Sequence, residues 1–204
     1  MTNSEITVLR FGDRPVPRAL ASLPCHVVST PADIDTAVER ASRLAVVGTN
    51  ADLAAVLTHL MRSDRLDLEV AHVRGWRTAR IARTGVARRV PLIRDETGTV
   101  VVEAAFWLPP GEDRVLCGEA VVDDEQLFEG QVTGVRIEPT PTMPGLRAAV
   151  LSSRMPPRRW LTGRAVQLGT TGARVVRDGT LAPREVKRST FYRHTTGWLQ
   201  VGRR

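Results

Sequence analysis

The feature that most constrains the fold of this chain is a short apolar run that ends in a small-residue loop and continues as an amphipathic pattern. The run is Leu44–Val47, the loop begins at Gly48, and apolar residues then recur every three or four positions as far as Met61. This succession is typical of a β-strand, a tight loop and an α-helix. Such a junction gathers unpaired backbone N–H groups and the positive end of a helix dipole, which together favour a phosphate or a carboxylate.

The loop lacks the composition of two common phosphate-binding loops. Dinucleotide loops carry three glycines in the pattern G-x-G-x-x-G, and Walker loops carry two glycines and a lysine. Residues 48–52 are Gly-Thr-Asn-Ala-Asp, with one glycine and no lysine. The sequence therefore predicts a phosphate-binding architecture that differs from both types.

Strand and helix patterns alternate in the first part of the chain. Strand patterns occupy residues 5–11, 25–28, 44–47 and 66–73. One helix pattern begins after a cap at Thr30 and another begins after the loop. This alternation predicts a parallel sheet, whose ligands bind at the carboxyl ends of the strands. The residues expected on that edge are Gly12, Gly48–Asn50 and Arg74–Gly75.

The remainder of the chain has β character. From about Pro91 onward there is no convincing helical period, and short β-type runs alternate with turns such as Asp95–Gly98 and Asp178–Gly179. The runs cover residues 99–105, 115–122, 130–137, 146–151, 165–168, 173–177 and 198–201. We predict a small parallel α/β domain, Rossmann-like, over residues 1–76, followed by an antiparallel β-rich, sandwich-like domain over residues 77–204.

This arrangement resembles the diacylglycerol kinase and NAD kinase superfamily. In that family a strand leads into Gly-Gly-Asp-Gly-Thr and then a helix, where this chain has Val46-Val47-Gly48-Thr49-Asn50-Ala51-Asp52-Leu53. The runs at 163–168 and 177–179 also resemble its β-domain, in which an Asp-Gly turn joins two late strands. The resemblance implies a nucleotide or lipid kinase fold, with ATP and Mg²⁺ as cofactors if the chain is active.

The loop departs from the family pattern at positions that matter for chemistry. Asn50 stands where the family has aspartate, Ala51 replaces a glycine and Asp52 replaces threonine. Asparagine does not supply the charge that attracts Mg²⁺. A second family motif, of the Gly-Thr-Gly-Asn-Asp type, corresponds to residues 72–78, which contain one glycine and no carboxylate. These departures predict a degenerate active site.

The predicted site therefore has ligand-binding residues but no catalytic residue and no metal ligand. Its members are Gly12, Gly48, Thr49, Asn50, Asp52, Arg74 and Arg77. The alternative role for Asn50 and Asp52 is helix capping, and His72 is expected to be structural. If the chain is an enzyme, Asp52 or Asp13 would have to serve as a displaced metal carboxylate.

The positive net charge of the chain restricts the kinds of partner that it can bind. The formal net charge is +7, and every one of the 29 basic residues except Lys187 is arginine. Basic residues cluster at 74–89, 154–164 and 184–193, which suits an anionic ligand or an anionic membrane surface, with nucleic acid less favoured. The absence of H-E-x-x-H and G-x-S-x-G from the sequence argues against a zinc peptidase and a serine hydrolase.

Other residue types give further expectations. No apolar segment is long enough to span a membrane and no signal peptide is evident, so we expect a cytoplasmic protein. The four tryptophans are expected to anchor the core, and Cys25 and Cys117 are expected to be buried thiols.

The favoured hypothesis is a diacylglycerol-kinase-like protein that binds a nucleotide or another phosphate-bearing metabolite without catalysis. Two alternatives stay open. One is an active lipid or nucleotide kinase that uses a displaced carboxylate. The other is a non-enzymatic basic module that binds acidic membrane or nucleic acid.

Overall fold

The computed structural model describes residues 5–39, 41–151 and 159–203 of the 204-residue chain. Two compact units are present. The first comprises the chain up to Val90 together with the segment from Thr196 onward, and the second comprises Pro91–Thr195. Two members of the second basic cluster, Arg154 and Arg158, lie outside the described residues.

The first unit is built on a mostly parallel sheet, in which the described residues form six strands. The strands are β1 (Ile6–Phe11), β2 (Cys25–Val28), β3 (Arg43–Val47), β4 (Glu69–Val73), β5 (Val86–Val90) and β17 (Trp198–Gly202). Their order in the sheet is β2-β1-β3-β4-β17-β5, and of these six only β5 runs antiparallel to its neighbour, β17. Every residue of β3 is buried, as expected for a strand in the middle of a parallel sheet.

In the part of this unit that the structure describes, three α-helices connect the strands: α1 (Pro31–Val38), α2 (Asn50–Arg62) and α3 (Trp76–Thr84). Thr30 is the N-cap residue of α1, as predicted, and the Asp33 carboxylate accepts the backbone N–H groups of Thr30 and Ser29. The Ser29 and Thr30 N–H groups lower the pKa of Asp33, since they favour its charged form. Helix α2 buries one stripe of apolar residues, including Leu53, Val56, Leu57 and Leu60.

The predicted boundary after residue 76 differs from the division that the structure shows. Helix α3 and strand β5 belong to the first unit, and the predicted strand at 198–201 adds to the parallel sheet as β17. Strand β17 pairs with β4 although the whole second unit separates the two strands in sequence. No local pattern signals such a long-range pairing.

In the second unit, residues 91–151 and 159–195 form eleven antiparallel strands. They are β6 (Ile93–Asp95), β7 (Val100–Val101), β8 (Ala105–Leu108), β9 (Leu116–Val122), β10 (Glu125–Val132), β11 (Val135–Pro139), β12 (Leu146–Val150), β13 (Leu161–Gly163), β14 (Ala165–Arg177), β15 (Thr180–Leu181) and β16 (Val186–Arg193). The predicted combination of a parallel α/β part and an antiparallel β-rich part is confirmed.

Strand β14 organises the second unit. The sequence predicted two strands at 165–168 and 173–177, whereas the structure has one continuous strand of 13 residues. Its first half pairs with β16 and β9, and its second half pairs with β8 and β15. Trp107 and Phe191 are fully buried beside it, with their ring centroids 5.8 Å apart.

Side-chain burial corrects two expectations. Trp107 and Trp198 are buried core anchors, whereas Trp76 is 64% exposed and was wrongly assigned to the core. Cys25 is exposed and Cys117 is partly exposed, so they are free thiols but not buried ones. No helix in the described ranges is long and apolar enough to cross a membrane.

The Asp178–Gly179 turn ties a loop of the second unit to the end of β14. Asp178 adopts a left-handed backbone conformation with φ 47°, which aspartate tolerates better than most residues. Its carboxylate accepts the backbone N–H groups of Val102, Glu103 and Ala104 at 2.9, 2.7 and 3.1 Å. Burial raises the pKa of Asp178, an effect that these three N–H groups oppose.

We therefore expect Asp178→Ala to lower the free energy of unfolding by about 3 kcal/mol, because three hydrogen bonds of roughly 1 kcal/mol each are lost. Asp178→Asn is the matched control, since asparagine tolerates the same backbone angle and keeps one acceptor oxygen. Asp178→Asn should lower the free energy of unfolding by about half as much as Asp178→Ala. Urea unfolding followed by tryptophan fluorescence measures both variants, and an alanine variant as stable as the parent would contradict this role.

Candidate functional site

The parallel sheet places the ends of three strands side by side. Strand β3 pairs with β1 on one side and with β4 on the other, so that Val47 lies opposite both Arg10 and Val73. The loops that follow these strands therefore leave the same edge of the sheet. They carry the predicted site residues Gly12, Gly48–Asn50 and Arg74.

The loop after β3 closes on itself through a capping box. Thr49 is the N-cap of α2, and its hydroxyl oxygen accepts the backbone N–H of Asp52 at 3.1 Å. In return the Asp52 carboxylate accepts the Thr49 backbone N–H at 2.7 Å and the Thr49 hydroxyl at 2.8 Å. The capping role considered for Asp52 is therefore present. Asn50 is not the cap, because it already lies inside the first turn of the helix.

Gly48 is required by this capping box. A Cβ at Gly48 would lie 2.7 Å from Cβ of Asp52 and 2.8 Å from its Oδ2, closer than side chains approach one another. The space beside Gly48 is thus occupied by the capping carboxylate. Any side chain at this position would therefore collide with Asp52 of the same loop.

Asn50 takes part in a second network, which joins the loop to the end of β4. Its Oδ1 accepts a hydrogen bond from Nη2 of Arg74 at 2.6 Å, across 24 residues of sequence. Nε of Arg74 donates to Nδ1 of His72 at 3.1 Å, and Nε2 of His72 lies 3.0 Å from the carbonyl oxygen of Gly48. We call this chain of contacts from Gly48 through His72 and Arg74 to Asn50 the arginine relay.

The arginine relay defines the hydrogen positions on His72. The Gly48 carbonyl can only accept, so Nε2 must carry the proton, whereas Nδ1 must accept from the guanidinium of Arg74. The ring is therefore the neutral Nε2–H tautomer in this arrangement. His72 is structural, as expected, but its function is to orient an exposed arginine.

Backbone N–H groups at the start of α3 are also hydrogen-bonded within the chain. The Thr78 hydroxyl oxygen accepts the backbone N–H groups of Arg74 and Gly75, at 2.8 and 3.0 Å. At the same helix end the Arg77 guanidinium lies 5.1 Å from the ring centroid of Trp76, and both side chains are exposed. Gly12, with φ 60°, ends β1 in open space, since nothing lies within 4 Å of the position its Cβ would take.

These residues do not fit a divalent metal ion. The Asp52 carboxylate is engaged by the cap, and the Asn50 oxygen is engaged by a cationic guanidinium. Asp13 is exposed, but it is a single carboxylate. No group of three or more His, Cys, Asp and Glu side chains that could hold a metal occurs among the described residues. Mg²⁺ binds oxygen ligands, and in the loop the side-chain oxygen of Asn50 and Oδ2 of Asp52 are already hydrogen-bonded.

Sequence reasoning identified Arg74 and Asn50 separately but missed the contact between them, and it also missed Thr78. A local signal existed for Thr78, because a hydroxyl three residues after Gly75 matches the spacing of a helix start. The contact between Asn50 and Arg74 depends on strand pairing, so only the register of β3 and β4 could have indicated it.

Comparison with solved structures identifies the fold. No family model and no curated protein sequence matches the chain. A diacylglycerol kinase from Bacillus anthracis str. Sterne is 9% identical with a TM-score of 0.73, covering 98% of both chains. An NAD kinase from Archaeoglobus fulgidus in complex with ATP is 9% identical with a TM-score of 0.65, covering 97% of this chain and 93% of that chain.

Yeast NADH kinase complexed with NADH is 10% identical with a TM-score of 0.61, covering 100% of this chain and 85% of that chain. At these identities the likeness concerns the fold. The chain has the fold of diacylglycerol kinases and NAD kinases, and the resemblance suggested by its sequence is confirmed at that level.

The capping box makes a testable distinction between neighbouring residues. Thr49→Ala should lower the free energy of unfolding by about 1 kcal/mol, because an N-cap hydrogen bond is lost. Asn50→Ala should change it by less than about 0.5 kcal/mol, because Asn50 caps nothing and its partner Arg74 is exposed. Chemical denaturation of both variants tests this. A larger loss for Asn50→Ala than for Thr49→Ala would contradict the assignment of the cap.

Proposed function

We propose that this kinase-fold protein binds a nucleotide or another phosphate-bearing metabolite at the loop Gly48–Asp52 without transferring phosphate. The arginine relay carries the proposal, because it holds an exposed guanidinium beside a helix start on the ligand edge of a parallel sheet. Support also comes from the similar structures, which include kinases in complex with ATP and with NADH.

The loop offers no carboxylate that is free to hold a metal for phosphoryl transfer. Transfer depends on positive charge at the phosphate that develops charge, and a metal ion supplies part of it. Asp52 serves the cap instead of a metal. The arrangement therefore favours binding over catalysis.

The enzyme alternative needs a carboxylate from another position. Of the two candidates, Asp52 is the less suitable because its Oδ2 already accepts two hydrogen bonds from Thr49. Asp13, exposed after β1, is the better candidate for such a role. An active lipid or nucleotide kinase would thus have to use Asp13.

A basic surface supports the third possibility, an anionic membrane as partner. Residues 70–94 contain seven arginines and no acidic residue, so this one segment accounts for the whole net charge of +7. Within it, α3 presents Trp76, Arg77 and Arg80 to solvent. Exposed tryptophan next to arginine suits the interface of an anionic membrane better than a nucleic-acid groove. We place the protein in the cytoplasm, where such surfaces and nucleotides occur together.

Binding of ADP tests the main proposal. The double variant Arg74→Ala/Arg77→Ala should bind ADP at least 10-fold more weakly than the parent, because charged hydrogen bonds contribute about 1.5 to 3 kcal/mol each. Arg88→Ala is the matched control: it removes one exposed arginine of the same basic segment, on β5, and should leave the affinity unchanged. Isothermal titration calorimetry gives all three dissociation constants. If the double variant binds as the parent does, the ligand site lies elsewhere.

Catalysis is tested separately. With ATP, Mg²⁺ and either diacylglycerol or NAD, we expect no phosphate transfer above a protein-free control, since the loop has no free carboxylate to hold Mg²⁺ and no lysine to neutralise the developing charge. Radiolabelled product formation measures this directly. Turnover that disappears in Asp13→Asn would instead establish the displaced-carboxylate kinase.

A further inference from the structure

We infer that Arg74 takes the place of a divalent cation in this site, so that the phosphate group is bound free of metal. This inference rests on the proposed function and specifies its ligand as an unmetallated phosphate ester. It follows from three observations: how Arg74 is held, what occupies the oxygens that a metal would need, and which donors remain available.

Arg74 is exposed and yet fixed in place. An arginine side chain ordinarily loses about 2 kcal/mol of rotamer entropy when a ligand immobilises it. Here the guanidinium is already bonded to His72 through Nε and to Asn50 through Nη2, at 3.1 and 2.6 Å. His72 is itself anchored on the Gly48 carbonyl, at 3.0 Å. Much of the rotamer entropy of Arg74 is therefore already lost before a ligand binds.

A metal ion at the same place would compete with this arrangement. The Asn50 oxygen that could face a cation already faces the Arg74 guanidinium at 2.6 Å. A divalent ion bound to that oxygen would lie within a few ångströms of another positive charge, where repulsion is strong. The Asp52 carboxylate is held by Thr49 through Oδ2, so only its Oδ1 could face such an ion while the capping box is intact.

The guanidinium retains the donors that a phosphate requires. Arginine has five N–H groups, and the relay uses two of them, on Nε and Nη2, which leaves three. None of these three donates to a residue in the described part of the chain. Two coplanar N–H groups of the guanidinium can donate to two oxygens of one phosphate. The guanidinium also keeps its positive charge at every physiological pH.

A phosphate ester can come from a soluble nucleotide or from a lipid headgroup, and the chemistry of recognition is the same. We therefore use two probes: ADP, titrated calorimetrically, and phosphatidylcholine vesicles containing phosphatidic acid, tested by co-sedimentation. Each is measured with the full-length protein in EDTA and in millimolar Mg²⁺. At least one probe should bind as tightly in EDTA as in Mg²⁺, or more tightly, because Mg²⁺ neutralises the phosphate that Arg74 recognises.

Three variants connect this behaviour to the relay. Arg74→Lys keeps the charge but not the fork of donors, and should weaken binding in EDTA about 10-fold. Asn50→Asp sets a carboxylate against Arg74 and should also weaken binding about 10-fold, with no recovery in Mg²⁺. The control is Arg114→Ala, which removes an exposed arginine outside the basic segment 70–94 and should bind both probes as the parent does. Far-UV circular dichroism and thermal unfolding of each variant distinguish a lost contact from a lost fold.

The possible outcomes separate this inference from the proposed function. If ADP or the vesicles bind only in Mg²⁺, or if Asn50→Asp gains Mg²⁺-dependent affinity above that of the parent, the inference fails while the proposed function stands. If neither probe binds under either condition, both fail. Binding in EDTA that is lost in Arg74→Lys and retained in Arg114→Ala supports the inference, and the probe that binds identifies nucleotide or lipid as the source of the phosphate.

Discussion

The buried arginine Arg43 is the interaction on which the first unit depends. It is 8% exposed at the start of β3, and its Nε donates to the Glu69 carboxylate on β4 at 2.6 Å. The same guanidinium donates to the carbonyl oxygens of Ala82, Arg83 and Gly85 at the end of α3. These carbonyls would otherwise lack partners, because the last turn of a helix has no intrahelical donors for them. One side chain thus joins two strands and a helix, and removing it would leave the Glu69 carboxylate and the three carbonyl oxygens without this donor.

The position of the site follows from this attachment. With its last turn held by Arg43, α3 directs its first turn toward the opposite edge of the sheet, where β3 also ends. Thr78 then takes the N–H groups of Arg74 and Gly75, which leaves the side chain of Arg74 to reach across to Asn50. The arginine relay is therefore a consequence of how the helix is anchored at both ends. All of its members belong to the first unit.

Local patterns predicted the parts of the fold that local interactions determine. The strand and helix around Gly48 and the capping carboxylate of Asp52 could be predicted because each depends on residues within a few positions. Helix α3 was missed because its buried residues are only Ala79 and Ala82, so alanine replaces the usual apolar stripe. The return of β17 to the first sheet and the contact between Asn50 and Arg74 are non-local. Neither leaves a periodic signal in a single sequence.

The capping box also explains why an arginine is needed at this site. A loop that binds phosphate through its backbone must leave N–H groups unpaired, and it gains rigidity only from the ligand. Here the Thr49 and Asp52 side chains pair two of those N–H groups with oxygens of the loop itself, which stabilises the helix start without a ligand. The same pairing places a carboxylate next to the loop, and that charge repels a phosphate. An anion can bind beside it only if a nearby cation outweighs the carboxylate, and the relay places Arg74 where it can do so.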